Sequence, residues 1–376
     1  MDFSTLDKFL DEHLWYYGLY GCDLAVTYKG QTVYRKQLGI DDIETGKKIN
    51  GNELYYIFSA TKPVTCAGAL RLVERGLLEL DAPVSRYIPE FENIKISTPD
   101  GVVKAKNVMT VKHLFTMTAG YDYNIYCEAV DKLRGKNPNF TSRELAAALS
   151  EFPLHFEPGT DFLYSLCHDI LAGVVEAVTD MRFCEYQKKN IFVPLGMTRT
   201  CFHADGLDEK LFATQYLYDN GEKKCRKIPL KCEYTLSPNH DSGGAGMICC
   251  TDDYMKFVCA MSLGGTSKDG YQLLKRETVD LMRKNHLPYN VERKFIRRML
   301  GYSYGLGVRT MVDKNAQHAK SPVGEFGWDG AASAYVLIDP DNQVGVYYAQ
   351  NVRDCGYMYH IGHPALRDHI YKALEL

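Results

Sequence analysis

Ser59 and Lys62 are the residues whose types and spacing point most directly to chemistry. They stand three apart in Phe58-Ser59-Ala60-Thr61-Lys62-Pro63. If Ser59 opens a helix, the two side chains share one helical face within mutual reach. A serine hydroxyl is a weak nucleophile until a neighbour accepts its proton, and a lysine in apolar surroundings has a depressed pKa and can be that neighbour. A helix N-terminus adds backbone N–H groups and positive dipole where an oxyanion would develop. The same spacing also describes a capping serine beside a solvated lysine. Context favours catalysis: this is the only Ser-x-x-Lys in the chain, a β-rich run precedes it, and Pro63 fixes the first turn of an apolar helix.

Other candidates are weaker. His360-x-x-His363 with His369 invites a metal reading, but Pro364 is expected to break the helix that would align them, and no carboxylate completes the set. No metal and no organic cofactor is expected. Cys167 lacks a paired histidine that would make it a better nucleophile than Ser59. Gly243-Gly244-Ala245-Gly246 has no Gly-Lys-Ser/Thr and reads as a turn lining the cleft.

The elements that must position Ser59 follow from pattern. Leu6, Phe9, Leu10 and Leu14 recur at helical spacing in 4–14, with Ser4 as the expected cap. Residues 23–28 and 31–35 read as a hairpin around Lys29-Gly30. Residues 60–75 read as a buried helix, and helices are expected at 111–117, 142–151, 166–179, 183–192 and 251–263. Residues 305–310, 334–338 and 344–348 read as strands, the last two joined by Asp339-Pro340-Asp341-Asn342, and a helix closes the chain from about 364 to 375. The predicted class is α+β: a mainly antiparallel sheet built from both chain ends (1–100 and 264–376), with flanking helices, and a mostly helical inserted domain (101–263). The active site is expected at their interface.

The 376 residues carry 44 basic and 47 acidic groups, a net charge of −3, which gives no field for nucleic acid or an acidic membrane. No apolar run approaches the roughly 18 residues of a membrane span. The 12 cysteines include no Cys-x-x-Cys, and the N-terminus shows no secretory pattern, so free thiols in the cytoplasm are expected.

Several motifs resemble the serine β-lactamase and penicillin-binding-protein superfamily, above all its class C β-lactamase and family VIII esterase branch. Tyr56-Ile57-Phe58-Ser59-Ala60-Thr61-Lys62 is similar to the nucleophile motif, and His113-Leu114-Phe115-Thr116-Met117-Thr118-Ala119-Gly120 is similar to another signature of the family. Gly76 to Val84, Phe192 to Met197 and Ser242 to Met247 are also family-like, so the resemblance extends over most of the chain. It implies a fold of the β-lactamase/transpeptidase type. It also implies that Tyr164 matches the tyrosine of the branch's Tyr-x-Asn motif, and that a phenolate or shared phenolic proton serves as base. The literal Tyr218-Asp219-Asn220 sits in a charged turn and reads as a decoy.

Two recognition positions depart from the branch. Leu166 stands where the asparagine would hold an acylamino group, and it cannot hydrogen-bond. No Lys-Thr-Gly occurs, and Gly327-Trp328-Asp329-Gly330-Ala331 takes its place, with Trp328 for the cation. Gly330 permits close backbone approach. The N–H groups of Ser59 and Ala331 are the candidate oxyanion hole. Asp329 has two readings, a cation-binding group or a turn cap. His168, four residues past Tyr164, has a modulating and a structural reading. Leu166, His168, Trp328, Asp329 and Gly330 form the expected substrate-binding set.

The chain is thus read as a serine hydrolase. The favoured substrates are small carboxylic esters. The alternatives are an amide hydrolase on β-lactams or D-amino-acid peptides, an acyltransferase, or a silent ligand-binding protein on the same fold. The partner is a small-molecule ester or amide, and the oligomeric state is open.

Overall fold

The computed structural model describes residues 1–376. An eight-stranded antiparallel sheet runs, in spatial order, Tyr302–Tyr304, Arg309–Met311, Phe326–Gly327, Tyr335–Asp339, Val344–Ala349, Gly21–Tyr28, Gln31–Asp42 and Lys47–Lys48. Both chain ends meet in it: Leu24 lies opposite Tyr348 and Val26 opposite Val346. Lys29 and Gly30 both take positive φ, as a two-residue hairpin turn requires.

Strand Gly21–Tyr28 is buried almost throughout because both of its faces are covered. On one side Cys22, Leu24 and Val26 pack with Leu6 and Leu10 of helix Ser4–Tyr16 and Leu366 and Ile370 of helix His363–Leu374. On the other side Ala25 joins the main core. That face is covered by helix Thr251–Ser262, whose Tyr254 stacks on Tyr347 at 4.3 Å between ring centres. The inserted region holds helices Val111–Phe115, Glu128–Lys136, Ser142–Leu149, Cys167–Thr179 and Phe183–Gln187. Ser142–Leu149 starts at a reciprocal cap in which Thr141 and Glu144 exchange side-chain to backbone hydrogen bonds.

Five expectations need correction. Ser4 does not cap the first helix: it is the helix's first residue, and its N–H donates to Asp2 Oδ1 at 2.9 Å. Residues 305–308 form a turn rather than a strand, closed by Gly305 N–H to Val308 O at 2.8 Å, because Gly307 takes a φ of +82° beside Cys66. Helix Thr251–Ser262, assigned to the helical region, packs on the sheet strands Val344–Ala349, Gly21–Tyr28 and Tyr335–Asp339. Pro364 does not break the last helix. It sits in its first turn, where no N–H is needed, and a π-helical turn Met358–Gly362 runs straight into it. The charged stretches Glu128–Lys136, Arg276–Arg283 and Tyr289–Arg298 are helices that the apolar pattern did not reveal.

Candidate active site

The segment before Ser59 is strained. Phe58 is fully buried with φ +47°, a conformation costly for a non-glycine residue. Three contacts clamp the turn: Ile57 N–H donates to Met247 O at 3.1 Å, Tyr254 OH to Ala60 O at 2.6 Å, and Met247 N–H to Thr61 Oγ1 at 3.1 Å. A 3₁₀ turn Phe58–Ala60 then feeds helix Thr61–Glu74, which presents Ser59 at its mouth and Lys62 one turn in.

Lys62 is fully buried, and its Nζ has three partners: Gly244 O at 2.7 Å, Tyr123 Oη at 3.0 Å and Ser59 Oγ at 3.2 Å. Burial pulls its pKa down to about 7, against the opposing charge of Asp169. A neutral amine is therefore well populated at physiological pH, with its lone pair available to the Ser59 proton. On the other side of the nucleophile, Tyr164 Oη lies 2.6 Å from Ser59 Oγ and accepts from Trp328 Nε1 at 3.1 Å. Lys62 Nζ sits 4.6 Å from the centre of the Tyr164 ring. Burial pushes the Tyr164 phenol up, so it stays protonated at neutral pH. That disfavours a resting phenolate.

Ala331 lines the same cleft as Ser59. Gly330 brings that segment in: a side chain there would collide with the carbonyl of Ile57, just before the nucleophile. Gly330 N–H donates to Ala334 O at 2.9 Å, while the Ala331 N–H has no backbone acceptor. The Ser59 turn's own hydrogen bonds begin at Ala60, which donates to Ile57 O at 3.1 Å. Asp329 supports the segment from behind. It accepts from Arg309 Nη1 at 2.7 Å and meets His363 Nδ1 at 3.4 Å. It is neither a free cation-binding group nor a turn cap.

A cleft of about 490 Å³ opens from Ser59 and Tyr164 past Trp328, Gly330 and Ala331. Two residues expected to bind substrate do not line it. Leu166 is buried in the main core as the residue just before helix Cys167–Thr179. His168 is fully buried, with Nε2 3.3 Å from Phe115 O and 3.6 Å from Cys66 Sγ. Tyr164 precedes the helix, so helical i+4 spacing does not apply, and burial holds His168 neutral with its pKa down at about 3. The three C-terminal histidines diverge: His360 lines the cleft, His363 turns to Asp329, and His369 stacks on Phe9 at 4.8 Å. The decoy Tyr218 donates to Tyr17 O at 2.9 Å in the smaller core.

The sequence reading missed Tyr123, Gly244 and Asp169. Tyr123 stacks on Tyr164 with 5.4 Å between ring centres and contributes its hydroxyl to Lys62. Nothing in Tyr121-Asp122-Tyr123 marks the second tyrosine over the first, which is a core residue. The glycine turn does not line the open cleft; it packs beneath Lys62. Asp169 holds that turn, its Oδ1 accepting from Ser242 Oγ at 2.6 Å and Gly244 N–H at 3.4 Å. Its buried charge raises the Lys62 pKa. Asp169→Asn is therefore expected to lower that pKa further and move the acidic limb of kcat/KM to lower pH. A pH profile on p-nitrophenyl butanoate checks the direction, and a limb displaced to higher pH contradicts it.

The Beta-lactamase family model matches residues 6–355. Esterase EstB of Burkholderia gladioli is 29% identical over 364 residues, covering 89% of this chain and 87% of that protein. Lovastatin esterase of Penicillium rubens is 30% identical, covering 70% of this chain and 68% of its own. Among solved structures, EstCE1, described as a hydrolase with promiscuous acyltransferase activity, superposes with a TM-score of 0.81 at 23% identity, covering 98% of both chains. Unliganded simvastatin synthase LovD of Aspergillus terreus gives 0.79 at 20% identity over 99% of this chain and 98% of that one. The match runs from the first helix to beyond the last strand of the sheet and takes in every residue gathered around Ser59, so the chain belongs to the Beta-lactamase family.

Proposed function

We propose that this protein is a serine hydrolase that cleaves small carboxylic esters through an acyl-enzyme at Ser59. The observation that carries the reading is the placement of two proton-handling groups on one oxygen: Tyr164 Oη at 2.6 Å and the buried Lys62 Nζ at 3.2 Å from Ser59 Oγ. The neutral Lys62 amine takes the Ser59 proton as Oγ attacks the carbonyl carbon. The Ser59 and Ala331 amides hold the negative oxygen. As the tetrahedral species collapses, the proton passes through the Tyr164 hydroxyl to the departing alkoxide, leaving Lys62 neutral again. Water then attacks the acyl-enzyme by the same route.

Esters are favoured over lactams because the wall beside Tyr164 is the uncharged Trp328 indole, stacked at 5.5 Å. Relatives named as esterases support the same choice. We place the active site at the junction of the sheet domain and the helical insertion, because Lys62, Tyr123 and Tyr164, and Trp328 come from separate parts of the chain. No helix is long and apolar enough to cross a membrane. The cytoplasm is the proposed compartment, since the cysteines lie in the fold as free thiols.

The test is a panel of p-nitrophenyl acetate, butanoate and hexanoate beside nitrocefin, with and without an added alcohol acceptor. Ester turnover well above nitrocefin turnover is expected. Turnover of nitrocefin alone overturns the substrate class, and product that appears mainly as the alcohol's ester makes the enzyme a transferase. Tyr164→Phe keeps the ring stacking and removes the hydroxyl. It is expected to lower kcat by roughly 10²- to 10⁴-fold with an unchanged melting temperature. Retention of wild-type kcat would remove Tyr164 from the proton path.

A further inference from the structure

We infer that the substrate carries an anionic group, a carboxylate or a phosphate-like head, remote from its scissile ester, and that Arg298 reads it. This deepens the esterase reading and rests on it. The cleft that starts at Ser59 has three arginines in its wall and one carboxylate, Asp329. Arg309 is committed to Asp329 at 2.7 Å and Arg367 to the neighbouring Asp368 at 2.9 Å, which leaves Arg298 as the arginine of this wall without an ion-pair partner. Asp329 also meets His363 at 3.4 Å, so the one acid of the wall is already satisfied twice.

Arg298 stands in a basic segment. It ends helix Tyr289–Arg298, which carries Arg293, Lys294, Arg297 and Arg298 against the single acid Glu292. Of these, Lys294 pairs with Asp161 and Glu292 accepts from Asn285. The helix's buried side leads to the nucleophile through a run of rings. Phe295 lies 5.8 Å from Tyr304, Tyr304 5.2 Å from Trp328, and Trp328 5.5 Å from Tyr164. The same cleft is lined by Trp328, Tyr302, Tyr335, Tyr359 and Met299, with the polar Gln317 and His360 beside them. An unpaired guanidinium exposed at the edge of a cleft lined largely by rings suits a ligand with an apolar body and an anionic end, because the fork of N–H donors matches two oxygens. Trp328, by contrast, offers no charge beside the reacting carbonyl, so recognition of an anion is displaced away from the chemistry.

The experiment compares p-nitrophenyl hydrogen succinate, glutarate and adipate with the neutral butanoate, pentanoate and hexanoate on the wild type, Arg298→Gln and Arg298→Lys. A p-nitrophenyl 3-phosphonopropanoate arm separates a phosphate-like head from a carboxylate. At least one anionic ester is expected to exceed its neutral counterpart in kcat/KM by about 10-fold or more at low salt. The ratio should fall by roughly 10- to 100-fold in Arg298→Gln and recover in part in Arg298→Lys. Neutral esters preferred at every length, or a ratio untouched by Arg298→Gln, overturns the inference. Trp15→Phe leaves Trp328 as the one tryptophan, so glutarate and phosphonoacetate can be titrated by its fluorescence without turnover. If no ester is hydrolysed yet a saturable change is lost in Arg298→Gln, the esterase reading fails and the anion subsite stands. No saturable change with either anion, in a protein that does hydrolyse esters, removes the subsite alone.

Discussion

Ser59→Ala is expected to lower kcat on p-nitrophenyl butanoate by about 10⁴- to 10⁶-fold, the range seen when a covalent nucleophile is removed. The effect should fall on kcat rather than KM, because Oγ forms a bond that exists only along the reaction path. The substitution is small and sits at a half-buried position, and the contacts that clamp the turn do not involve Oγ: Tyr254 OH to Ala60 O and Met247 N–H to Thr61 Oγ1 remain. The melting temperature should therefore stay near that of the wild type. A Ser59→Ala enzyme that retains a tenth or more of wild-type kcat would assign the nucleophile elsewhere.

Lys62→Met is expected to lower kcat by roughly 10³-fold and at the same time to stabilise the fold. Burial holds Lys62 near pKa 7, below its value of 10.5 in the unfolded chain. Between those values the unfolded state binds the extra proton, so the lysine's cost to stability is largest below about pH 7 and fades as pH rises toward 10. Methionine removes that cost but leaves Gly244 O without its donor, a loss of about 1 kcal/mol. The balance should be a gain on the order of 1–3 kcal/mol at pH 7. Melting curves of both proteins across pH 6 to 10 check it: the advantage of Lys62→Met should shrink steadily with pH. A difference that does not vary with pH, or a variant less stable at pH 6, contradicts a lysine held neutral by burial. In the wild type the same pKa predicts an acidic limb in kcat/KM near pH 7, with activity lost as Lys62 is protonated.

What could be read in advance divides by the range of the contact. Ser59 and Lys62 lie within one turn, so spacing alone put them on one face. Tyr164 was legible because a motif marks it, and Trp328 and Ala331 because the segment that replaces Lys-Thr-Gly does. Tyr123 and Gly244 reach Lys62 across 61 and 182 residues, and no local pattern encodes that meeting. Asp169 was passed over because its partner Ser242 lies 73 residues away, and no local pattern shows that the two will meet. His168 was placed beside Tyr164 by helical spacing, yet the helix begins only at Cys167. The sheet followed from β-rich chain ends. The partner of helix Thr251–Ser262 did not, because periodicity reveals an apolar face and not the surface that covers it. The basic helix ending at Arg298 was missed for a related reason: only Val291 and Phe295 of its ten residues are buried, too few to outweigh its charges in an apolar count.

The central claim is that Ser59 is the residue acylated, with Lys62 as the base that activates it. Intact-mass measurement after exposure to a fluorophosphonate, followed by peptide mapping, tests this most directly. One adduct per chain is expected, on the peptide that contains Ser59, with no adduct in Ser59→Ala and labelling slowed by orders of magnitude in Lys62→Met. An unlabelled wild type under conditions that label a control hydrolase, or an adduct that persists in Ser59→Ala, would contradict it.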